Sequence, residues 1–383
     1  MLLRRPLIRS ASTVATRRVL VTGATGQIGL ELVSLLKSRL NGRTGTGEPL
    51  VLATDLHATV PPGLAATPYT RLDVTDAGAV RALVKEHRVD TIVHLASLLS
   101  VTGEQNPALA MRVNRGGAEA VLEAAAEFKC KVFAPSTIAA FGPSTPRDAT
   151  PDLTIMRPTT IYGVTKVYLE LLGDYYNKKF GVDFRSVRYP GVISWKALPG
   201  GGTTDYAVNI FYDAIKTGKY ECFLGPDSAL PMMCVLLCAR GSGDSGVARC
   251  GRGGAALLHP PPSNPFFSLT TPLPHFRYMP DALEAAVRLI DAPAEKLRHR
   301  TYNVTGVSFT PKELGAALSA EMVRAGRAPL QLSYKPDFRQ AIADSWPRSL
   351  DDSHAREDWG WKHQFDCASM TRDMYTNLVK KLQ

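Results

Sequence analysis

No run of the 383-residue chain approaches the roughly 18 consecutive apolar residues that a membrane span needs, so no membrane insertion is expected. The six cysteines, Cys130, Cys222, Cys234, Cys238, Cys250 and Cys367, include no paired CxxC set. Reduced thiols in an intracellular compartment fit that usage, and no metal site is expected. Acid is missing from the start of the chain, where no aspartate or glutamate precedes Glu31. Residues 1–18 instead hold five arginines and four hydroxyl residues. That is the composition of a mitochondrial transit segment, expected over residues 1–17 and addressed to the matrix; a secretory signal would have a longer apolar core, and the plainer alternative is a disordered basic tail.

The formal net charge of +10 invites a nucleic-acid reading, but its placement argues otherwise. Residues 1–18 carry +5 of it, and Cys234 to Arg277 carry four arginines against one aspartate. The remaining body is nearly neutral, so no nucleic-acid partner is expected.

What the chain has is alternation. The runs VLVT, LVLATD, TIVHLA, KVFAPST and FRSVRYPGV read as strands. IGLELVSLLKSRL, GAEAVLEAAAEF and YLELLGDYYNKKF, which lie between several of them, read as helices. Strands alternating with helices predict an α/β fold with a parallel sheet covered on both faces. Beyond about residue 190 the alternation weakens into loops such as ALPGGGTTDYA, and 191–383 is expected to form mainly a smaller carboxyl-terminal lobe. Within it, Thr310, Pro311 and Glu313 spell a helix start with a capping box.

The first strand runs into VTGATGQIG. Gly23, Gly26 and Gly29 fall three apart, which is not the usual dinucleotide spacing. The physical task is the same: the backbone turns tightly, approaches a pyrophosphate and offers it a helix amino terminus through Gln27 and Ile28. Asp55 closes the second strand, where a carboxylate can accept both ribose hydroxyls and repel a 2′-phosphate, favouring NAD over NADP; an ordinary turn aspartate is the alternative. Asp73, beside Val74, follows the third strand and suits the adenine amino group. Farther on, Tyr162 and Lys166 stand four apart in TTIYGVTK, with a glycine directly after the tyrosine. Taken alone they could be one stripe of an amphipathic helix.

Together, the glycine turn, HLAS (94–97), PSTIAAFG (135–142) and YGVTK (162–166) resemble the extended short-chain dehydrogenase/reductase family. The runs RYPGVIS, PGGGTTDYA, TYNVTG and AIADSWP through DDSHAREDWGWKH narrow the resemblance to the branch that oxidises L-threonine, over residues 18–233 and 278 to about 375. The resemblance implies a Rossmann-type, doubly wound NAD-binding domain over 18–190 with a substrate-binding lobe after it, and a homodimer. It implies oxidation of L-threonine at C3 to L-2-amino-3-oxobutyrate.

In that resemblance Tyr162 is the general acid/base and Thr137, with Ser136 as near alternative, orients the substrate oxygen. Lys166 lowers the tyrosine pKa from its free value near ~10 and grips the nicotinamide ribose. Asn114 holds Lys166 through water. Leu95, Ala96 and Pro190 complete the cofactor site; Ser100, Thr203, Thr204 and Trp346 join Thr137 and Tyr162 around the substrate. Two alternatives stay open: a nucleotide-sugar epimerase or dehydratase, which shares Tyr162 and Lys166, and a catalytically inactive NAD-binding homologue.

The segment 234–277 has no counterpart in that resemblance. Its 44 residues contain no Lys, Glu, Ile, Tyr or Trp, but six Gly and six Pro, and exceed ordinary loop lengths of about 12–15 residues. Deleting it joins LPMM to YMPDALEAA. Its ends can be written with intron donor and acceptor codons in frame, so it is expected to be a retained intron foreign to the native enzyme. The rivals are a lineage-specific loop and a metal knuckle from Cys234, Cys238 and Cys250 with His259, which lacks standard zinc spacing.

Overall fold

A computed structural model describes residues 17–40, 50–196, 202–234 and 281–382. The strands are β1 (Arg18–Thr22), β2 (Leu50–Asp55), β3 (Tyr69–Arg71), β4 (Thr91–His94), β5 (Lys131–Phe133), β6 (Ser136–Thr137), β7 (Phe184–Tyr189), β8 (Gly191–Ile193), β9 (Lys219–Cys222), β10 (Leu230–Cys234), β11 (Thr301–Asn303), β12 (Val307–Phe309) and β13 (Gln331–Tyr334). The helices are α1 (Gly29–Leu40), α2 (Ala77–Glu86), α3 (Ser100–Gln105), α4 (Pro107–Ala110), α5 (Gly116–Phe128), α6 (Ile161–Phe180), α7 (Tyr206–Thr217), α8 (Asp281–Asp291), α9 (Pro311–Arg324), α10 (Phe338–Asp344), α11 (Ser353–Trp359) and α12 (Cys367–Leu382).

The main sheet runs β11-β7-β5-β4-β1-β2-β3, all parallel, with β6 paired to β7. The central strands β1, β2 and β4 are mostly apolar and buried because both faces are covered. Val19 and Val21 of β1 join α1 and α8 in one core, while Leu20 between them joins α2, α5 and α6 in another. The order reverses between β1 and β4, and the carboxyl ends of those strands open the crevice where such sheets bind ligands.

Over the strand ends lies the second lobe, in which β10 pairs with β8 and β12 and β13 pairs with β9. Its core takes Tyr206 and Phe211 from α7, Leu314 and Leu318 from α9, and Met370 and Met374 from α12. The capping box forms as expected: Glu313 N donates to Thr310 Oγ1 at 3.1 Å, and Thr310 N donates to Glu313 Oε2 at 2.8 Å.

Residues 191–383 are expected to form mainly, not wholly, the second lobe, and part of them lies in the first. After the lobe begins, the chain returns to the main sheet: β11 pairs with β7, and α8, Ala355 and Trp361 pack in the core of α1. The reason is burial, since the outer edge of β7 and the apolar face of α1 would otherwise face water. Residues 1–16 of the expected transit segment and residues 235–280 lie outside the described residues. So do Cys238, Cys250 and His259.

Candidate active site

The local rules that build the site begin at the glycine turn. Gly23 has φ +69°, and a Cβ there would lie 2.6 Å from Ala96 N, so the β1 end can approach the β4 end only with glycine. Asp55 holds this turn: Thr25 donates to Asp55 Oδ2 from its amide at 3.0 Å and from its hydroxyl at 2.8 Å. The carboxylate expected at a ribose is thus aimed at the phosphate-binding turn.

Helix α6 starts at the Thr160 cap, whose hydroxyl accepts from Gly163 N at 3.1 Å. This presents Tyr162 in the first turn and Lys166 one turn later. The glycine after the tyrosine has a packing reason. A Cβ at Gly163 would fall 2.1 Å from Ala139 O and 2.5 Å from Pro158 Cβ.

One cleft brings together most of the residues singled out in the sequence. It is lined on the cofactor side by Gly23, Gly26, Gln27, Ile28, Gly29, Leu95 and Pro190. Around the reacting end stand Thr137, Tyr162 and Lys166, and the lobe side adds Ser100, Thr203, Thr204 and Trp346. Thr137 stands beside the Tyr162 phenol and eases its ionisation. Lys166 Nζ donates to Pro135 O at 2.9 Å and stands 5.6 Å from the centre of the Tyr162 ring. Thr203 is 1% exposed and its hydroxyl has no hydrogen-bond partner among the described residues, which leaves it available to a ligand group.

Between Thr137 and Ser136 the structure discriminates. Ser136 donates to the buried carboxylate of Glu170, which also takes Arg188 at 2.7 and 3.0 Å, so its hydroxyl is committed. Thr137 is the one that faces Tyr162.

Electrostatics corrects one expectation. Burial pushes the Tyr162 phenol up to about 12, with only the Thr137 hydrogen bond working the other way. Burial also brings the Lys166 ammonium down to about 8, opposed by the Glu170 carboxylate. In the protein alone, desolvation therefore outweighs the lysine's pull on the tyrosine.

Five sequence candidates stand back from the cleft lining, Asp55 at the glycine turn among them. Asn114 lies in a π-helical turn, Met111–Arg115, and spends its amide on the loop after β4 and on α6. Its Oδ1 accepts from Leu98 N at 2.8 Å, and its Nδ2 donates to Leu98 O and Thr165 Oγ1, each at 3.1 Å. It makes no direct contact with Lys166; it fixes the loop and the helix that flank the lysine. Asp73 is exposed and accepts from Thr75 N at 2.9 Å, which holds its carboxyl below the usual range. Val74 is buried against the place where Gly117 lacks a side chain, and Ala96 abuts Gly23.

Sequence reasoning missed Ser97, Leu99, Ile138, Val192 and Asp205, all of which line the cleft. All but Leu99 lie inside the runs HLAS, PSTIAAFG, RYPGVIS and PGGGTTDYA, so weighing those runs residue by residue would have found them. It also missed Glu170, whose signal is a carboxylate one turn after Lys166 on the helix face that packs inward.

With this geometry in place, comparison with known proteins is informative. The profile of the NAD dependent epimerase/dehydratase family matches residues 19–228. The mitochondrial L-threonine 3-dehydrogenase of Bos taurus is 42% identical over 366 residues, covering 95% of this chain and 83% of the bovine one. The crystal structure of L-threonine dehydrogenase from Phytophthora infestans superposes with a TM-score of 0.78 at 50% identity, covering 95% of this chain and 99% of that one. A monomeric L-threonine 3-dehydrogenase from a metagenome gives 0.77 at 38% identity, over 95% and 100% of the two chains. The chain therefore belongs to the NAD-dependent epimerase/dehydratase family, on the branch of the L-threonine dehydrogenases.

Proposed function

We propose that this protein oxidises L-threonine at C3 with NAD, giving L-2-amino-3-oxobutyrate. The observation that carries the reading is the grouping of Thr137, Tyr162 and Lys166 in one cleft whose other wall is the glycine turn of a parallel sheet. Gly23, Gly26 and Gly29 let the turn close tightly at the start of α1, where a pyrophosphate would lie, and Asp55, which accepts from Thr25 and Leu56 in the free protein, is assigned to the adenosine ribose. NAD supplies the acceptor for the C3 hydride and a positive ring near the phenol. Thr137 orients the substrate hydroxyl, and Tyr162 takes its proton as the hydride leaves, so the lost pair of hydrogens is accounted for. Lys166 favours the phenolate and holds the nicotinamide ribose. Thr203 and Thr204 offer hydroxyls to the amino-acid end, with Ser100 and Trp346 closing the pocket. Asp73 and Val74 are assigned to the adenine end, with Ala96 and Pro190 nearer the nicotinamide.

The test is NADH formation with L-threonine beside L-allo-threonine, L-serine and a nucleotide sugar, with NADP in parallel. Turnover confined to L-threonine and NAD is expected. Turnover of the nucleotide sugar alone would establish the epimerase or dehydratase reading, and equal use of NADP would remove the role given to Asp55.

A homodimer is part of the reading. Val164, Leu171 and Tyr175 of α6 are 44%, 60% and 53% exposed and fall on one helical face, an apolar stripe suited to a partner helix. Mitochondrial residence rests on the acid-free, arginine-bearing start and on the bovine relative. Among the described residues no helix is long and apolar enough to cross a membrane.

The inference that 234–277 is foreign to the enzyme has geometric support. A Cβ on Gly306 would lie 3.6 Å from Met233 Cα and 3.7 Å from Asp281 Oδ2, so the ends flanking the segment stand side by side. Tyr278, Met279 and Pro280, at 3.8 Å per Cα step, are enough to join them.

A further inference from the structure

Outside the cleft, three ligand-type side chains converge. Asp152 lies in the loop before α6, His299 on the approach to β11, and His354 in α11; one potential ligand atom from each falls within 4.8 Å of the others. His354 Nδ1 stands 3.0 Å from Asp152 Oδ2 and 3.2 Å from His299 Nε2. A ring nitrogen offers either one hydrogen or one lone pair. His354 Nδ1 can satisfy the carboxylate as a donor or the second imidazole as an acceptor, but a single tautomer does not serve both. A cation between them satisfies all three groups at once.

The spacing suits that occupant. Tetrahedral zinc with bonds of ~2.0–2.1 Å sets neighbouring ligand atoms roughly 3.3 Å apart, close to both distances. The carboxylate is already oriented, since its other oxygen accepts from Asn303 N at 2.5 Å, as the outer partner of a ligating carboxylate usually does. The competing cation, Arg188, is 3.9 Å from that same outer oxygen and is held in two bonds by Glu170, so Oδ2 is left to the histidines. Asp152 is buried, while the His354 side chain is 38% exposed and gives an ion a way in. None of the three lines the catalytic cleft.

We propose that Asp152, His299 and His354 form a site for one borderline divalent cation of the zinc type, with water completing the shell. The ligand set, two imidazoles and a carboxylate, selects such ions over magnesium or calcium. The three ligands come from segments as much as 202 residues apart. The ion would act as a clip, tying α11 and the loop before α6 to the edge of the main sheet.

The experiment uses the full chain, stripped with a chelator and titrated with Zn²⁺ by calorimetry, with Co²⁺ as spectroscopic probe. The expected result is one site that raises the melting temperature, with His354→Gln weakening it at least ~10-fold, and Co²⁺ bands of nitrogen and oxygen ligation without thiolate charge transfer. His299→Gln is the second variant, in case His354→Gln folds poorly, and turnover in either should stay near that of the unaltered enzyme. Affinity unchanged in both variants, or a thiolate signature from Cys238 and Cys250, would overturn the assignment. So would no uptake at all, which would leave a hydrogen-bonded histidine pair only.

Discussion

Replacing Gly163 with alanine tests whether the catalytic tyrosine is positioned by packing behind it. The added Cβ would sit 2.1 Å from Ala139 O and 2.5 Å from Pro158 Cβ, whereas real Cβ contacts stay beyond 3.0 Å. Something must therefore move by about 1 Å, and the closest obstacle is backbone, which yields less readily than a flexible side chain. Ala139 belongs to the 3₁₀ turn Ile138–Ala140 that follows Thr137 directly, while Gly163 follows Tyr162. Relief of the clash should drive apart Thr137 and Tyr162, the two residues proposed to hold the substrate oxygen. A misplacement of about 1 Å costs on the order of 100-fold in rate, and overpacking of this kind costs about 1–3 kcal/mol of stability. Steady-state assays with L-threonine should show turnover reduced roughly 100-fold, with the NAD dissociation constant changed by much less because the glycine turn is remote from the clash. A calorimetric melt should fall by several degrees. Turnover within about twofold of the parent and an unchanged melting temperature would refute the argument.

Tyr162→Phe should keep NAD binding and lower turnover by roughly 100-fold or more, the usual contribution of a positioned acid/base; unchanged turnover would remove Tyr162 from the mechanism. His94 supplies a pH prediction. Its buried ring, 2.8 Å from Thr22 Oγ1, is brought down to about 3 by burial first and by the Lys166 charge second. The unfolded chain takes up a proton below 6.5 that the folded chain refuses until about 3, so stability falls as pH drops through that window, by about 2–3 kcal/mol at pH 4.5. Denaturant titrations from pH 7 to 4 should show a shallower loss in His94→Gln; parallel curves would assign the acid sensitivity elsewhere. Deleting residues 234–277 should yield a protein that folds and oxidises L-threonine at least as well as the full chain, since the flanking ends already meet. A deletion variant that is unfolded, beside a full chain with normal turnover, would make the segment part of the enzyme.

What the sequence determined by itself was everything that short-range spacing controls. Gly23, Gly26 and Gly29 announce a tight strand-to-helix turn, Thr310 to Glu313 announce a capped helix, and Tyr162 and Lys166 share a helix face because they are four residues apart. Those patterns, with the family resemblance they carry, were enough to name more than half of the residues that line the cleft. Tertiary structure decided what burial and distant partners control. Glu170 claims Ser136, while Thr137 stands beside Tyr162, although the two hydroxyls are adjacent in sequence. Asn114 spends its amide on Leu98 and Thr165 rather than on the lysine. The direction of the Tyr162 shift follows from how completely the fold desolvates the phenol, which no spacing encodes. The return of β11 to the main sheet depends on an unpaired strand edge more than a hundred residues earlier, and the convergence of Asp152, His299 and His354 exists only once that strand is docked. Helical and turn periodicities act within a few residues, whereas desolvation and pairing act between whichever surfaces the folded chain brings together.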